Sequence, residues 1–308
     1  MKKSTIGVIV TAAIMVIVGI GLFVGGIIAT GGIGVAKKEL AEHGVFIEDG
    51  FRVEINKGIH DRAHEVREHS AEEAVSYDMD DKETTIYDMG DVESLHLEVK
   101  EAEVEIGVST DGKISIRTDG NYTFDVRKKV LYVEPKGIQK EHKMLIELPE
   151  AQRSGEFLLK DVEIHAGASS IFIDQISSKD FDLEVGAGQV NISKLMAEHA
   201  EFDVGAGEVV VESGNVQECD TTVEAGNFKY TGMVLRHGDV ECNLGNAAYC
   251  LERDVEEYNY EIECGAGNID IGTQSYSGLG REKYIDNHTQ ESFEIECNVG
   301  NVSISSIN

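Results

Sequence analysis

The sequence has no tryptophan, only 2 prolines in 308 residues, 5 cysteines, and 27 lysine and arginine residues against 57 aspartates and glutamates. The last two shortages exclude something. Five cysteines, odd in number and sparse, cannot form the disulfide framework of a small secreted scaffold. The scarcity of basic residues leaves a net charge of −30, which repels nucleic acid and anionic lipid surfaces and argues against either as a partner. Other residue types are abundant: 33 glycines and 41% hydrophobic residues make the chain too apolar for a disordered acidic tail and rich enough for a real core.

Charge is missing altogether from Ser4 to Ala36, a run of 33 residues with Lys2 and Lys3 before it and Lys37 and Lys38 after it. Within it, Ile6 to Ile28 spans about 34 Å as a helix, enough to cross the ~30 Å hydrocarbon core of a bilayer. A secretory signal has a shorter apolar core ending in a small-residue cleavage site. No clean site closes this run, so residues 1–36 read as an uncleaved transmembrane signal anchor, with a cleaved signal as the rival. Two lysines on each side nearly balance the positive-inside rule, but the short Met-Lys-Lys start favours an N-in anchor. The expected location is the cell membrane, crossed once, with the C-terminal domain extracellular. Residues 37–90 read as a charged juxtamembrane connector. If its 59–69 stretch is helical, His60 and His64 share a face with Glu68 and have a spacing that can hold zinc. A solvated helix explains the same residues, and no metal is assigned there.

A repeat dominates the remainder, residues 91–308, less regular over 91–160 and regular over 161–308. Phe181-Asp-Leu-Glu-Val-Gly-Ala-Gly-Gln-Val-Asn-Ile192 returns as Ala200-Glu-Phe-Asp-Val-Gly-Ala-Gly-Glu-Val-Val-Val211 and in four later copies. Anchored on the last small residue of each turn, the copies fall at Ser169, Gly188, Gly207, Gly226, Gly245, Gly267 and Gly300, at intervals of 19, 19, 19, 19, 22 and 33. A weaker copy begins at Leu95. Apolar and polar residues alternate on both sides of each turn, the period of a half-buried strand. A strand–turn–strand unit cannot bury its apolar side alone, so the copies are expected to stack as coils of an all-β solenoid, like positions ~4.8 Å apart, with a hairpin sandwich as the structural rival. The anchor glycines then mark positions needing positive φ or a tight corner.

Stacking turns the alignment into columns. Asn227, Asn246, Asn268 and Asn301 follow their anchors directly, as a ladder of side-chain amides would. Cys242, Cys264 and Cys297 stand where earlier copies have Val185, Val204 and Val223, so they read as buried small hydrophobes. A pairing such as Cys242 with Cys264 is the alternative. Two outward columns are acidic. Six residues before the anchor stand Glu163, Asp182, Glu201, Asp220, Asp239, Glu261 and Glu294. Four before it stand His165, Glu184, Asp203, Thr222, Glu241, Glu263 and Glu296. Twelve of these 14 positions are carboxylates. A solvated face that blunts aggregation explains them. So does a surface for Ca2+ or a cationic partner, although a flat ladder supplies calcium's converging ligands poorly.

The long interval before Gly300 carries an insertion near residues 275–290 that combines Tyr276, Arg281, Lys283, Tyr284 and His288. Insertions of this kind commonly become loops on one face, which makes this a candidate recognition loop. The recurring Gly-x-Gly turns open no helix and are not a phosphate-binding fingerprint. No nucleophile, base and orienting acid can be assembled, so no catalytic residue or cofactor is assigned.

The Leu95-His-Leu-Glu-Val opening, the Met144-Leu-Ile-Glu-Leu-Pro149 segment and the serial Val-Gly-Ala-Gly turns resemble the bacterial adhesin-like family of β-strand-repeat proteins, a domain of unknown function, over roughly residues 92–308. The resemblance implies a β-solenoid at the cell envelope and brings no catalytic residues. The reading is thus a membrane-anchored extracytoplasmic binding module, adhesin-like or linked to envelope stress, for a cationic envelope component or a protein. Two alternatives stand beside it. A polysaccharide-acting enzyme is opposed by the short coil, which allows two strands rather than three, and by the lack of a basic residue placed to take a proton from the sugar; a spacer would self-associate through a last strand ending at Asn308.

Overall fold

The computed structural model describes residues 84–308, apart from 89, 111, 138–140, 156–157, 279 and 308, together with 45–48 and 52–55. The chain divides into two units, Met1–Asp78 and Met79–Asn308. In the first, β1 (Val45–Glu48) and β2 (Arg52–Ile55) pair antiparallel. The span expected over residues 4–36 and the His60/His64 stretch lie outside the described residues. Among those described, no helix is long and apolar enough to cross a membrane.

The second unit is built of strands. First come β3 (Thr84–Asp88), β4 (Ser94–Val99), β5 (Ala102–Val108), β6 (Lys113–Thr118), β7 (Tyr122–Arg127), β8 (Val130–Pro135) and β9 (His142–Leu148). A one-turn helix, α1 (Ala151–Ser154), leads to β10 (Leu159–Ala166). Four strands of 16 residues follow: β11 (Ser170–Val185), β12 (Gln189–Val204), β13 (Glu208–Val223) and β14 (Asn227–Cys242). The chain continues through β15 (Asn246–Leu251), β16 (Asn259–Cys264), β17 (Asn268–Ile271), β18 (Gln274–Ser277), β19 (Arg281–Ile285), β20 (Ser292–Cys297) and β21 (Asn301–Ser306).

Neighbouring repeats pair parallel and in register, so Ile171, Val190, Val209, Phe228 and Ala247 form one inward column. Each long strand serves two rows. Its first half follows one glycine turn and its second half precedes the next, and both halves turn alternate residues into a single apolar core. Aromatic rings run through that core: Phe181 to Phe202 at 5.8 Å between centroids, Phe202 to Phe228 at 4.9 Å, Phe228 to Tyr249 at 5.5 Å and Tyr249 to Phe293 at 5.6 Å. The Tyr249 hydroxyl, buried among them, shares a 2.7 Å hydrogen bond with the Thr221 hydroxyl.

Spatial order departs from chain order at both ends. β20 lies between β14 and β16, and β21 between β15 and β17, so the Gly300 repeat is inserted before the Gly267 repeat. At the other end β4 and β5 are flanked by β10 and β11 on one side and by the later β8 and β9 on the other. Each outermost repeat is then covered by antiparallel strands: β7 on β8 and β6 on β9 at one end, β19 on β16 and β18 on β17 at the other. Residues 275–277 and 281–285 of the insertion therefore lie in edge strands rather than in a free loop. The last strand, an open edge in the spacer reading, is interior. The unit also starts before residue 91, because β3 pairs with β6.

The anchor glycines differ from expectation in their reason. None of Gly188, Gly207, Gly226, Gly245, Gly267 and Gly300 has positive φ. What each needs is closeness: a Cβ on Gly226 would sit 2.3 Å from the Gly207 carbonyl oxygen, and one on Gly245 2.2 Å from that of Gly226. The amide ladder forms where Asn246 donates to Asn227 and Asn301 to Asn246, both at 2.9 Å. Asn268 instead donates to Asp270 at 2.8 Å. Cys242, Cys264 and Cys297 are buried and free, and Cys297 stands in register between the other two.

Candidate cation-binding face

Residues six and four before each anchor alternate with the inward column of the same strands, so they leave the opposite face of the pleat. The first acidic column runs unbroken across seven strands in the spatial order Glu163, Asp182, Glu201, Asp220, Asp239, Glu294, Glu261. The second runs His165, Glu184, Asp203, Thr222, Glu241, Glu296, Glu263. Tyr284 stands in register with Glu261, and Glu282 with Glu263, so β19 continues both columns. Burial, reinforced by neighbouring carboxylates, raises the carboxyl pKa of Asp182 and Asp239 above the usual aspartate range.

A third column, eight residues before the anchor, carries no mark in the repeat motif. Asp180, His199, Glu218, His237 and Ser292 follow one another across the stack. His199 Nε2 lies 2.9 Å from Asp220 Oδ2, and His237 Nδ1 2.9 Å from Ser292 Oγ. Imidazoles thus stand among the acids in this column too, as His165 does in the second.

The densest arrangement lies where β4 meets β10. Parallel pairing sets His96 beside Glu163, and the strand's two-residue period sets His165 on the same face. Glu163 uses both oxygens: Oε2 accepts from His96 Nδ1 at 2.7 Å, and Oε1 accepts from His165 Nε2 at 2.7 Å. The other nitrogen of His165, Nδ1, donates to Glu184 Oε2 at 2.8 Å. The His96 ring lies 5.6 Å from that of His165 and 5.3 Å from that of Tyr132. Burial opposes protonation of His165, but its hydrogen bonds to Glu163 and Glu184 outweigh it and the pKa is raised. Burial likewise opposes ionisation of Glu163, and the two imidazoles outweigh it in lowering that carboxyl. Glu163, Glu184 and His165 stand in the columns visible from sequence, and the weaker copy beginning at Leu95 sets His96 in phase with the first of them; the interval of 19 does not say that this copy stacks directly on the Glu163 repeat, 67 residues later.

The candidate recognition residues separate. Lys283 Nζ lies 4.4 Å over the Tyr276 ring and donates to its hydroxyl at 3.3 Å. Tyr284 is 63% exposed at the end of the acidic column, while His288 is exposed and its Nδ1 lies 3.2 Å from Asp286 Oδ1. Arg281 stands in register with Cys264.

Fold and face together define a class: an all-β domain of stacked strand repeats that displays columns of carboxylates. The chain belongs to the Toastrack DUF4097 family, whose profile matches residues 91–277. No curated protein matches it. Among solved structures it is similar to a candidate cell adhesion protein from Clostridium sporogenes, with 15% identity over 73% of this chain and 99% of that one and a TM-score of 0.35. It is also similar to a candidate adhesin from Parabacteroides distasonis, with 13% identity over 72% and 96% of the two chains and a TM-score of 0.36. A candidate lipid-binding protein from the same organism matches at 13% identity over 71% and 96%, with a TM-score of 0.39.

Proposed function

We propose that this protein is a single-pass, membrane-anchored β-solenoid outside the cytoplasm that binds without catalysis, presenting its acidic face to a cationic envelope component or protein. The supporting observation is the unbroken register of the first carboxylate column, one acid on each of seven adjacent strands. Among the described residues, the ion pairs of the two columns are made with histidines rather than lysines or arginines. Like charges one strand apart repel by roughly 0.9 kcal/mol even at the dielectric of water, and a polycation relieves that repulsion along the whole row. The anchor over residues 1–36 would hold the face at the membrane.

The test uses the full chain in detergent and oligolysine as the cationic probe. Binding should weaken steeply with salt and fall in a variant carrying Glu201→Gln, Asp220→Asn and Asp239→Asn. Salt-insensitive binding, or equal binding by the variant, sinks the proposal for this face. Protease treatment of intact cells tests the placement separately, since a C-terminal domain protected until lysis contradicts the extracellular orientation.

A further inference from the structure

We propose that His96, Glu163 and His165 form a binding site for one divalent transition-metal ion, of the zinc or cobalt class, at the end of the acidic columns. Their ligand atoms lie within 4.8 Å of one another, and all three side chains are half-buried rather than splayed into solvent. Two imidazole nitrogens and a carboxylate oxygen suit borderline metals such as Zn2+, whereas Ca2+ and Mg2+ ask for oxygen ligands only.

The surroundings of His165 argue most strongly for a metal. Its Nε2 points at Glu163 while its Nδ1 donates to Glu184 at 2.8 Å. A carboxylate on the far nitrogen is the arrangement that fixes the tautomer of a metal-bound histidine and strengthens it as a ligand. With Nδ1–H held by Glu184, Nε2 carries the lone pair a metal takes. Without a metal, both nitrogens face carboxylates and each needs a proton. An ion at this point replaces the protons that bridge Glu163 to the two rings, so binding releases protons. The strands also preorganise the set: His96 and Glu163 are register partners on adjacent parallel strands, and His165 follows Glu163 by two residues on the same face. Three protein ligands leave a fourth position for water or for a donor from a partner. The carboxylate columns that begin here raise the local cation concentration.

Ion binding by these three side chains requires neither a polycation on the acidic face nor a particular side of the membrane. The experiment takes the full chain, stripped with a chelator, and titrates it with Co2+ read by visible d–d absorption and with Zn2+ read by calorimetry. One equivalent should bind with tetrahedral or five-coordinate cobalt bands, more weakly as pH falls. His96→Ala and His165→Ala should each weaken binding more than Glu184→Gln, whose place behind a ligand predicts a loss of about 10–100-fold. Asp239→Asn with Glu294→Gln, and separately His60→Ala with His64→Ala, should leave the site intact. All these substitutions lie on exposed or half-exposed positions or in the connector, and circular dichroism reports folding for each. The proposal is overturned if the chain binds neither metal at millimolar concentration. It is equally overturned if His96→Ala and His165→Ala bind like the parent, or if binding disappears with the column pair or with His60 and His64 instead.

Discussion

Replacing Gly207 with alanine tests why glycine recurs in every turn. The added Cβ would lie 2.5 Å from the Gly188 carbonyl oxygen and 2.8 Å from Val185 Cγ1. The first contact is backbone and cannot rotate away. That carbonyl also accepts the hydrogen bond from the Glu208 amide at 2.9 Å, which ties the two turns together. Parting the turns enough to admit a methyl lengthens this bond. Overpacking costs about 1–3 kcal/mol and a weakened hydrogen bond about 0.5–1.5 kcal/mol, so the expected loss is about 2–4 kcal/mol. For a domain of this size each kcal/mol moves the melting temperature by about 2–4 °C, which gives a drop of about 4–16 °C. The assay is thermal unfolding by circular dichroism, with Gly107→Ala as control. Nothing lies within 4 Å of a Cβ on Gly107, and that substitution should be neutral or stabilise by up to about 1 kcal/mol. If the two variants melt alike, close approach is not the reason for glycine at the anchors.

Asp239 stands in register between Asp220 and Glu294, and like charges one strand apart repel by roughly 0.9 kcal/mol at the dielectric of water. Asp239→Asn should therefore raise the melting temperature at neutral pH, with the gain fading in molar salt; a loss of stability would refute the repulsion. Thr221→Val strips the buried Tyr249 hydroxyl of its 2.7 Å partner and leaves only the Cys219 sulfur at 3.7 Å. The cost should be about 1–3 kcal/mol, largely recovered in the double variant with Tyr249→Phe, and no recovery would exclude an unpaired hydroxyl as the cause. Stability should also rise as pH falls from about 8 to about 5. His165 and His199 have raised pKa values when folded and so bind protons more tightly than in the unfolded chain. Below the ordinary glutamate value of 4.5 the trend should reverse, because Glu163 and Glu218 are lowered and lose their ionised state's stabilisation there. Melting temperatures that climb steadily from pH 5 to pH 8 would contradict this sign.

The parallel register of the central repeats was legible because each copy repeats the same alternation at a fixed interval, and a one-residue slip would turn Phe202 and Val204 outward. The order of the end repeats was not. Residues 292–306 carry the same motif as residues 259–271, and the motif says only that a repeat pairs with another repeat. The choice of neighbour is made elsewhere. Phe293 is packed at 5.6 Å from Tyr249 and 5.2 Å from Tyr258, and a Cβ on Gly238, its register partner, would fall 2.2 Å from the Phe293 ring. A glycine beside a phenylalanine in one inward column is a volume match between repeats distant in sequence. It could be recognised only after the pairing was known.

The inserted order also explains why the acidic face is continuous. Were the Gly267 repeat stacked directly on the Gly245 repeat, the strands of residues 274–285 would have to cover a repeat that still needed the Gly300 copy on the same side. With the Gly300 repeat inside, Glu294 and Glu296 fill the columns between Asp239 and Glu241 on one side and Glu261 and Glu263 on the other. β18 and β19 are then free to close the end antiparallel, with charged residues on a short edge that discourages further strand addition. The same device at the other end brings β4 against β10, and with it His96 against Glu163. Capping and site assembly are thus one topological event. The columns could be read from the interval of 19 and the weaker copy at Leu95 set His96 in phase with them, but the repeat on which that copy stacks is fixed by a pairing across 67 residues that no constant interval encodes.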